Sequence, residues 1–127
     1  MRQHFVICVH HAPVGSQSAY HALRFAQAVI DQGHTIDQVF FYQDAVQHAN
    51  ACFNVPSDEF NVVDAWRTLS EAQNIPLVCC VGAGARRGVV EDDTQSSAMN
   101  NLAPGFTLAG LGEWVQAVEG ADKVIQF

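Results

Sequence analysis

Residues 77–88 read Leu-Val-Cys-Cys-Val-Gly-Ala-Gly-Ala-Arg-Arg-Gly. An apolar run brings two cysteines to its end, a small-residue segment follows, and two adjacent arginines come next. We expect Leu77–Val81 to be a buried strand that ends in a turn at Gly82–Gly84, because short apolar runs bounded by glycine are typical of core strands. In an open α/β sheet, chemistry lies at the carboxyl ends of the strands. A thiol held there near positive charge can be kept as a thiolate, the nucleophilic form.

Strand and helix patterns alternate along the rest of the chain. Helical spacing of apolar residues predicts helices at 18–32, at 57–73 with Ser57 as the N-cap, and at 111–118, with a shorter one at 44–51. Gly33 is predicted to end the first of these helices. Further strands are predicted at 5–9, 36–42, 106–108 and 124–127, and a polar loop with a helical turn at 91–101. This alternation predicts one flavodoxin-like domain spanning residues 1–127, with an open, mainly parallel sheet covered by helices on both faces.

The composition indicates a globular chain that is acidic overall. The 127 residues carry a formal net charge of −7, and 49% of them are hydrophobic. Proteins that hold a nucleic-acid backbone usually present a basic patch, so we expect no direct contact with nucleic acid. A charged fraction of only 15% is compatible with a subunit that buries surface against partners.

Cysteine usage and hydropathy bear on the compartment. No apolar run has the length of a membrane span, and no signal-peptide pattern is visible, so we expect no membrane association and a cytoplasmic protein. The four cysteines are therefore expected to be free thiols rather than a disulfide framework.

The two adjacent cysteines are predicted to have different environments. Neighbouring side chains on a strand point to opposite faces, so one thiol is packed while the other faces the crevice at the strand end. Cys80 is the better candidate nucleophile because it lies nearer the glycines, with Arg86 and Arg87 close by in sequence. The competing interpretation is that Cys79 and Cys80 are both small core residues and that the arginines are a solvated surface pair.

Two histidines at the end of the first predicted strand are a second candidate feature. His10 and His11 are expected at the same edge of the sheet as Cys80, where a histidine could tune the thiol. We favour the alternative that both are exposed loop residues. No metal-ligand spacing and no phosphate-binding loop is present, so no metal and no cofactor is expected. A flavin or nucleotide site is the usual first hypothesis for a domain of this fold, but the fold alone does not establish such a site.

The order of short motifs along almost the whole chain resembles the DsrE/DsrF-like family. The segments that carry the resemblance include Phe25-Ala26-Gln27-Ala28, Val39-Phe40-Phe41-Tyr42, Ser57-Asp58-Glu59-Phe60, Cys80-Val81 followed by Arg86-Arg87-Gly88-Val89-Val90, and Gly105-Phe106-Thr107-Leu108. The family's active cysteine falls on Cys80. Cys79 departs from the aliphatic residue that the resemblance implies at that position.

The resemblance implies a sulfurtransferase that carries sulfur as a persulfide on Cys80. It implies TusA as the transient donor and TusE as the acceptor, with TusB and TusC as partners in a heterohexamer. The sulfur would end as the 2-thio group of the tRNA wobble uridine. A DsrE-type subunit of a sulfur-oxidising DsrEFH complex would use the same cysteine. A non-catalytic scaffold subunit is the alternative from a different functional class.

Overall fold

A computed structural model describes residues 1–91 and 100–127. These residues form a five-stranded sheet in the order β4-β3-β2-β1-β5, and every neighbouring pair of strands is parallel. The strands are β1 His4–Val9, β2 Thr35–Phe41, β3 Leu77–Cys80, β4 Phe106–Ala109 and β5 Lys123–Gln126. Because all five run in the same direction, their carboxyl ends meet along one edge of the sheet.

Within the described residues, four α-helices and one 3₁₀ segment connect the strands. The helices are α1 Ser18–Asp31, α2 Val62–Gln73, α3 Val81–Arg86 and α4 Leu111–Gly120, and the 3₁₀ segment is Gln43–Ala49. Helix α1 buries an alanine-rich face that includes Ala22 and Ala26, and it ends where Gly33 takes a φ of +86°. That conformation favours glycine, which explains the predicted end of the helix.

Helices cover both faces of the sheet. Phe40 and Phe41 are neighbours on β2 and therefore point to opposite sides. Trp66 of α2 packs edge-on against Phe41, whereas Trp114 of α4 stacks on Phe40 with ring centroids 5.4 Å apart. Helix α2 thus lies on one face, together with α1, which contacts it, and α4 lies on the other.

This arrangement confirms the predicted fold class. The strand order, however, differs from the 2-1-3-4-5 order of flavodoxin itself, because β1 lies here between β2 and β5. The predicted strands and helices are all present, and their ends differ from the predicted positions by at most five residues. The short helix predicted at 44–51 is the 3₁₀ segment. Most of the polar loop predicted at 91–101 falls on residues 92–99, outside the described residues.

Two local predictions were wrong. Ser57 does not cap α2: the helix begins at Val62, and Asn61 is its N-cap, with a side-chain oxygen that accepts the Asp64 N–H at 3.1 Å. The predicted turn at Gly82–Gly84 is instead part of helix α3. Small residues are used there for close packing, since a Cβ on Gly84 would come within 2.9 Å of the Val89 carbonyl oxygen.

Candidate active site

Cys80 is the last residue of β3 and also the N-cap of α3. Its register partner on β4 is Ala109, and its Sγ accepts the backbone N–H of Ala83 at 3.5 Å. Residue 80 is 5% exposed, so a sulfur donor has to approach closely to reach it.

The other three cysteines have different surroundings. Cys79 is fully buried on the opposite face of β3, where burial and then the neighbouring Cys80 charge raise the pKa of its thiol. Cys8 lies within β1, and burial raises the pKa of its thiol to about 12. Cys52 is exposed and lies outside the strands. Cys79 and Cys80 thus point to opposite faces of β3, as predicted, but both side chains are buried, which agrees with the competing interpretation that both are core residues.

The two arginines near Cys80 differ in their contacts. Arg87 is held in place, because its Nε donates to Asp44 Oδ1 at 2.8 Å and its guanidinium also donates to the Ala83 carbonyl oxygen at 3.2 Å. Arg86 is exposed and folds back over the start of α3. Its Nη1 lies 3.6 Å from the position that a Cβ on Gly82 would take. Arg86 is therefore an exposed cation near the start of α3, whereas Arg87 joins α3 to the 3₁₀ segment.

The two histidines also differ. His10 is half-buried at the end of β1, where its Nδ1 accepts a hydrogen bond from Gln126 Nε2 at 3.3 Å. Burial, and secondarily the charge of His11, lower the pKa of His10. His11 is exposed, so the favoured interpretation of exposed loop residues fits His11 but not His10.

Two residues of the site were not anticipated. Asp44 lies 43 positions before its partner Arg87, a separation that carries no local signal in the sequence. Tyr42 follows β2 directly and lies at the same edge as Cys80, with its ring centroid 5.8 Å from that of His10. The aromatic end of the strand was visible in the sequence, but without the strand order it could not be placed next to Cys80.

Within residues 1–91 and 100–127, no group of three or more His, Cys, Asp or Glu side chains is arranged to hold a metal ion. No helix in that part of the chain is long and apolar enough to cross a membrane.

Comparison with known proteins bears on the family. The model of the DsrE/DsrF-like family matches residues 3–127. The chain belongs to the DsrE/DsrF-like family. It is similar to the sulfurtransferase TusD homologue of Pasteurella multocida, with 46% identity over 95% of this chain and 97% of that protein. It is equally similar, at 46% identity over 89% of this chain and 90% of the relative, to the sulfurtransferase TusD of Pectobacterium carotovorum.

A solved structure supports the same assignment. The crystal structure of the ychN protein from E. coli matches with a TM-score of 0.79 and 29% identity, and the match covers 100% of both chains. Together with the curated relatives, this confirms the predicted fold class and the predicted sulfurtransferase class.

Proposed function

We propose that this member of the DsrE/DsrF-like family accepts sulfur as a persulfide on Cys80 and passes it on within a relay. The observation that carries the proposal is the position of Cys80 at the carboxyl edge of the sheet, with the Ala83 N–H directed at its sulfur. Cys8 and Cys79 are buried within their strands, and Cys52 is exposed and lies outside the strands.

The proposed step is a thiol–persulfide exchange. The Cys80 thiolate attacks the outer sulfur of a donor persulfide, so that a new S–S bond forms on Cys80 while the S–S bond of the donor breaks. The inner sulfur of the donor leaves as a thiolate and takes up the proton that Cys80 released. The net result moves one sulfur atom with no change in overall oxidation state.

The proposed donor is TusA, the proposed acceptor is TusE, and the sulfur is destined for 2-thiolation of the tRNA wobble uridine. Two features support a relay subunit. A net charge of −7 suits a protein that exchanges sulfur with other proteins and leaves tRNA binding to a later member. Helix α4 has no buried residue, and Leu111 and Val115, one turn apart on it, are each about half exposed.

Exposed apolar side chains of this kind are typical of subunit contacts. We therefore propose TusB and TusC as the partners of the α4 side, in a heterohexamer.

Intact-protein mass spectrometry tests the proposed role of Cys80. The protein, in a Cys52→Ser background that removes the exposed thiol, is incubated with a cysteine desulfurase, cysteine and TusA. We expect a sulfur adduct of about 32 Da on the parent and on Cys79→Ser, and none on Cys80→Ser. Serine is a good N-cap, so Cys80→Ser is expected to keep the α3 capping contact and the fold.

The same experiment distinguishes the alternatives. An adduct that survives in Cys80→Ser and disappears in Cys79→Ser would move the site to the neighbouring thiol. If no variant is loaded even when TusB and TusC are present, the scaffold interpretation replaces sulfur transfer.

A further inference from the structure

Tyr42, the residue directly after β2, lies beside Cys80, the last residue of the neighbouring strand β3. Phe41 of β2 is in register with Cys79 of β3, so the residues that follow them, Tyr42 and Cys80, are level with each other. Tyr42 keeps extended backbone angles, with φ −126° and ψ 159°. The alternation of side chains along β2 therefore continues through it.

The two side chains also share a face of the sheet. Tyr42 lies on the side of Phe40, and their ring centroids are 6.3 Å apart. Phe40 is in register with Val78, and Cys80 follows Val78 by two residues, which returns it to the same side. Tyr42 and Cys80 are thus lateral neighbours at the edge where sulfur would be loaded.

The reach of the two side chains differs in a way that matters for a persulfide. Adjacent strands are about 4.8 Å apart, and a tyrosine extends much further from the backbone than a cysteine. A cysteine side chain is too short for its Sγ to match the reach of the phenol oxygen. A persulfide adds a sulfur about 2 Å further out, which brings the terminal sulfur toward the hydroxyl. The phenol hydroxyl would therefore contact Cys80 when it carries a persulfide but not when it is a free thiol.

Neighbouring rings restrict the position of the Tyr42 ring. The His10 ring packs edge-on against it, and His10 is itself fixed by the hydrogen bond from Gln126. Phe40, beneath it, is covered by the stacked Trp114. The backbone after Tyr42 is strained as well, since Gln43 has a φ of +52° without being glycine. Conformations of this kind are costly and concentrate at functional sites.

We propose that the Tyr42 hydroxyl donates a hydrogen bond to the terminal sulfur of the Cys80 persulfide, and that His10 is a positioning residue that acts through the Tyr42 ring. The inference rests on the proposed function, since it requires Cys80 to carry the sulfur. In this role, Tyr42 keeps the Cys80 persulfide in its anionic form.

The test loads the protein with inorganic polysulfide, which needs no partner, again in a Cys52→Ser background. The rate of persulfide alkylation by iodoacetamide is then measured across a pH range by intact mass. A hydrogen bond to a charged acceptor is a strong one. We therefore expect Tyr42→Phe to raise the pH of half-maximal alkylation by about one unit. At pH values below that of half-maximal alkylation, this shift corresponds to an approximately tenfold loss of the persulfide anion. Tyr20→Phe removes the same hydroxyl from the other tyrosine, which binds Arg24 on α1, and is the matched control.

Other ionisable groups near this edge are the same in both tyrosine variants. They include His10 and His11 after β1, Arg86 and the Arg87–Asp44 pair around α3, and Glu113 in the first turn of α4. The difference between Tyr42→Phe and Tyr20→Phe therefore isolates the phenol.

The outcomes separate the two proposals. If the parent protein is not loaded on Cys80, the proposed function fails. If the parent is loaded and Tyr42→Phe has an unchanged pH profile, only the role of Tyr42 is overturned. For His10 we expect a smaller shift in the same direction in His10→Ala and a return to the parent profile in His10→Phe, which keeps an aromatic edge against Tyr42. Equal shifts in both His10 variants would contradict the positioning role.

Discussion

Four thiols of one chemical type are separated here by their surroundings alone. Burial raises the pKa values of Cys8 and Cys79, which removes them from thiolate chemistry near neutral pH. Cys52 is exposed but lies outside the strands. Cys80 combines a place at the strand end with a backbone N–H directed at its sulfur. The sequence could rank Cys80 first, but only the fold shows why the adjacent Cys79 is a poor alternative.

We predict that one of the two adjacent arginines affects the stability of the fold and that the other affects the rate of sulfur loading. Arg87→Ala removes the bond to Asp44, which is largely exposed, and the bond to the Ala83 carbonyl. We expect it to lower the free energy of unfolding by about 1 kcal/mol. Arg86→Ala removes only a nearby positive charge, so we expect unchanged stability and roughly threefold slower sulfur loading at low salt. Urea denaturation and loading time courses measure the two effects.

Arg86→Lys is the matched control for charge, and it should load at nearly the parent rate. The assignment of roles is contradicted if Arg86→Ala is the destabilised variant, or if its loading rate equals that of the parent at low salt.

At the level of helices and strands, the α2 N-terminus allows a direct comparison of the predicted cap with the observed one. Asn61→Ala removes the side-chain oxygen that accepts the Asp64 N–H, and we expect a loss of about 1 kcal/mol in the free energy of unfolding. Ser57→Ala, at the cap predicted from the sequence, is expected to have almost no effect because residue 57 lies in a turn before the helix. Urea denaturation of both variants checks this, and a larger effect at Ser57 would contradict the observed cap.

The same example explains which parts of the fold the sequence could predict. Strand β1 contains the apolar run Phe5–Val9, and β2 ends in the apolar run Val39–Phe41. Because this signal is local, the positions of both strands were found almost to the residue. Both Ser57 and Asn61 are good capping residues, and the choice depends on where Val62 and Trp66 meet the sheet. The glycines of α3 look like a turn in sequence because the packing that requires Gly84 is partly tertiary, since a Cβ there would lie 3.6 Å from the Leu108 side chain of β4.

At the scale of the whole molecule, the described helices cover the two faces of the sheet unequally. Helices α1 and α2 lie together on the Phe41 side, whereas among the described helices only α4 packs on the Phe40 side, against β1 and β2. The two tryptophans that pack on the sheet could be recognised in the sequence as apolar residues. The face of the sheet that each one covers could not be predicted, because it depends on the strand order. The carboxyl edge gathers Cys80, Tyr42 and His10 from three different strands, which no local pattern reveals.

The stability of the whole chain is predicted to depend on one buried histidine that the sequence did not single out. His48 is fully buried against Phe41, with Nδ1 donating to the Ala45 carbonyl oxygen at 2.7 Å. Burial lowers its pKa from 6.5 to about 4, and the hydrogen bond to Ala45 opposes this only in part. Between these two pH values the unfolded chain binds a proton that the folded chain excludes.

Stability should therefore fall as the pH is lowered from about 6.5 to about 4, by about 3 kcal/mol from this group alone. His4, whose pKa is raised by Asp37, acts in the opposite direction, so the contribution of His48 has to be measured as a difference between variants. Urea denaturation at a series of pH values is expected to show a shallower decline for His48→Gln than for the parent, whatever its stability at pH 7. His21→Gln, which replaces an exposed histidine on α1, should keep the parent slope. A parent-like slope in His48→Gln would mean that acid sensitivity arises elsewhere in the molecule.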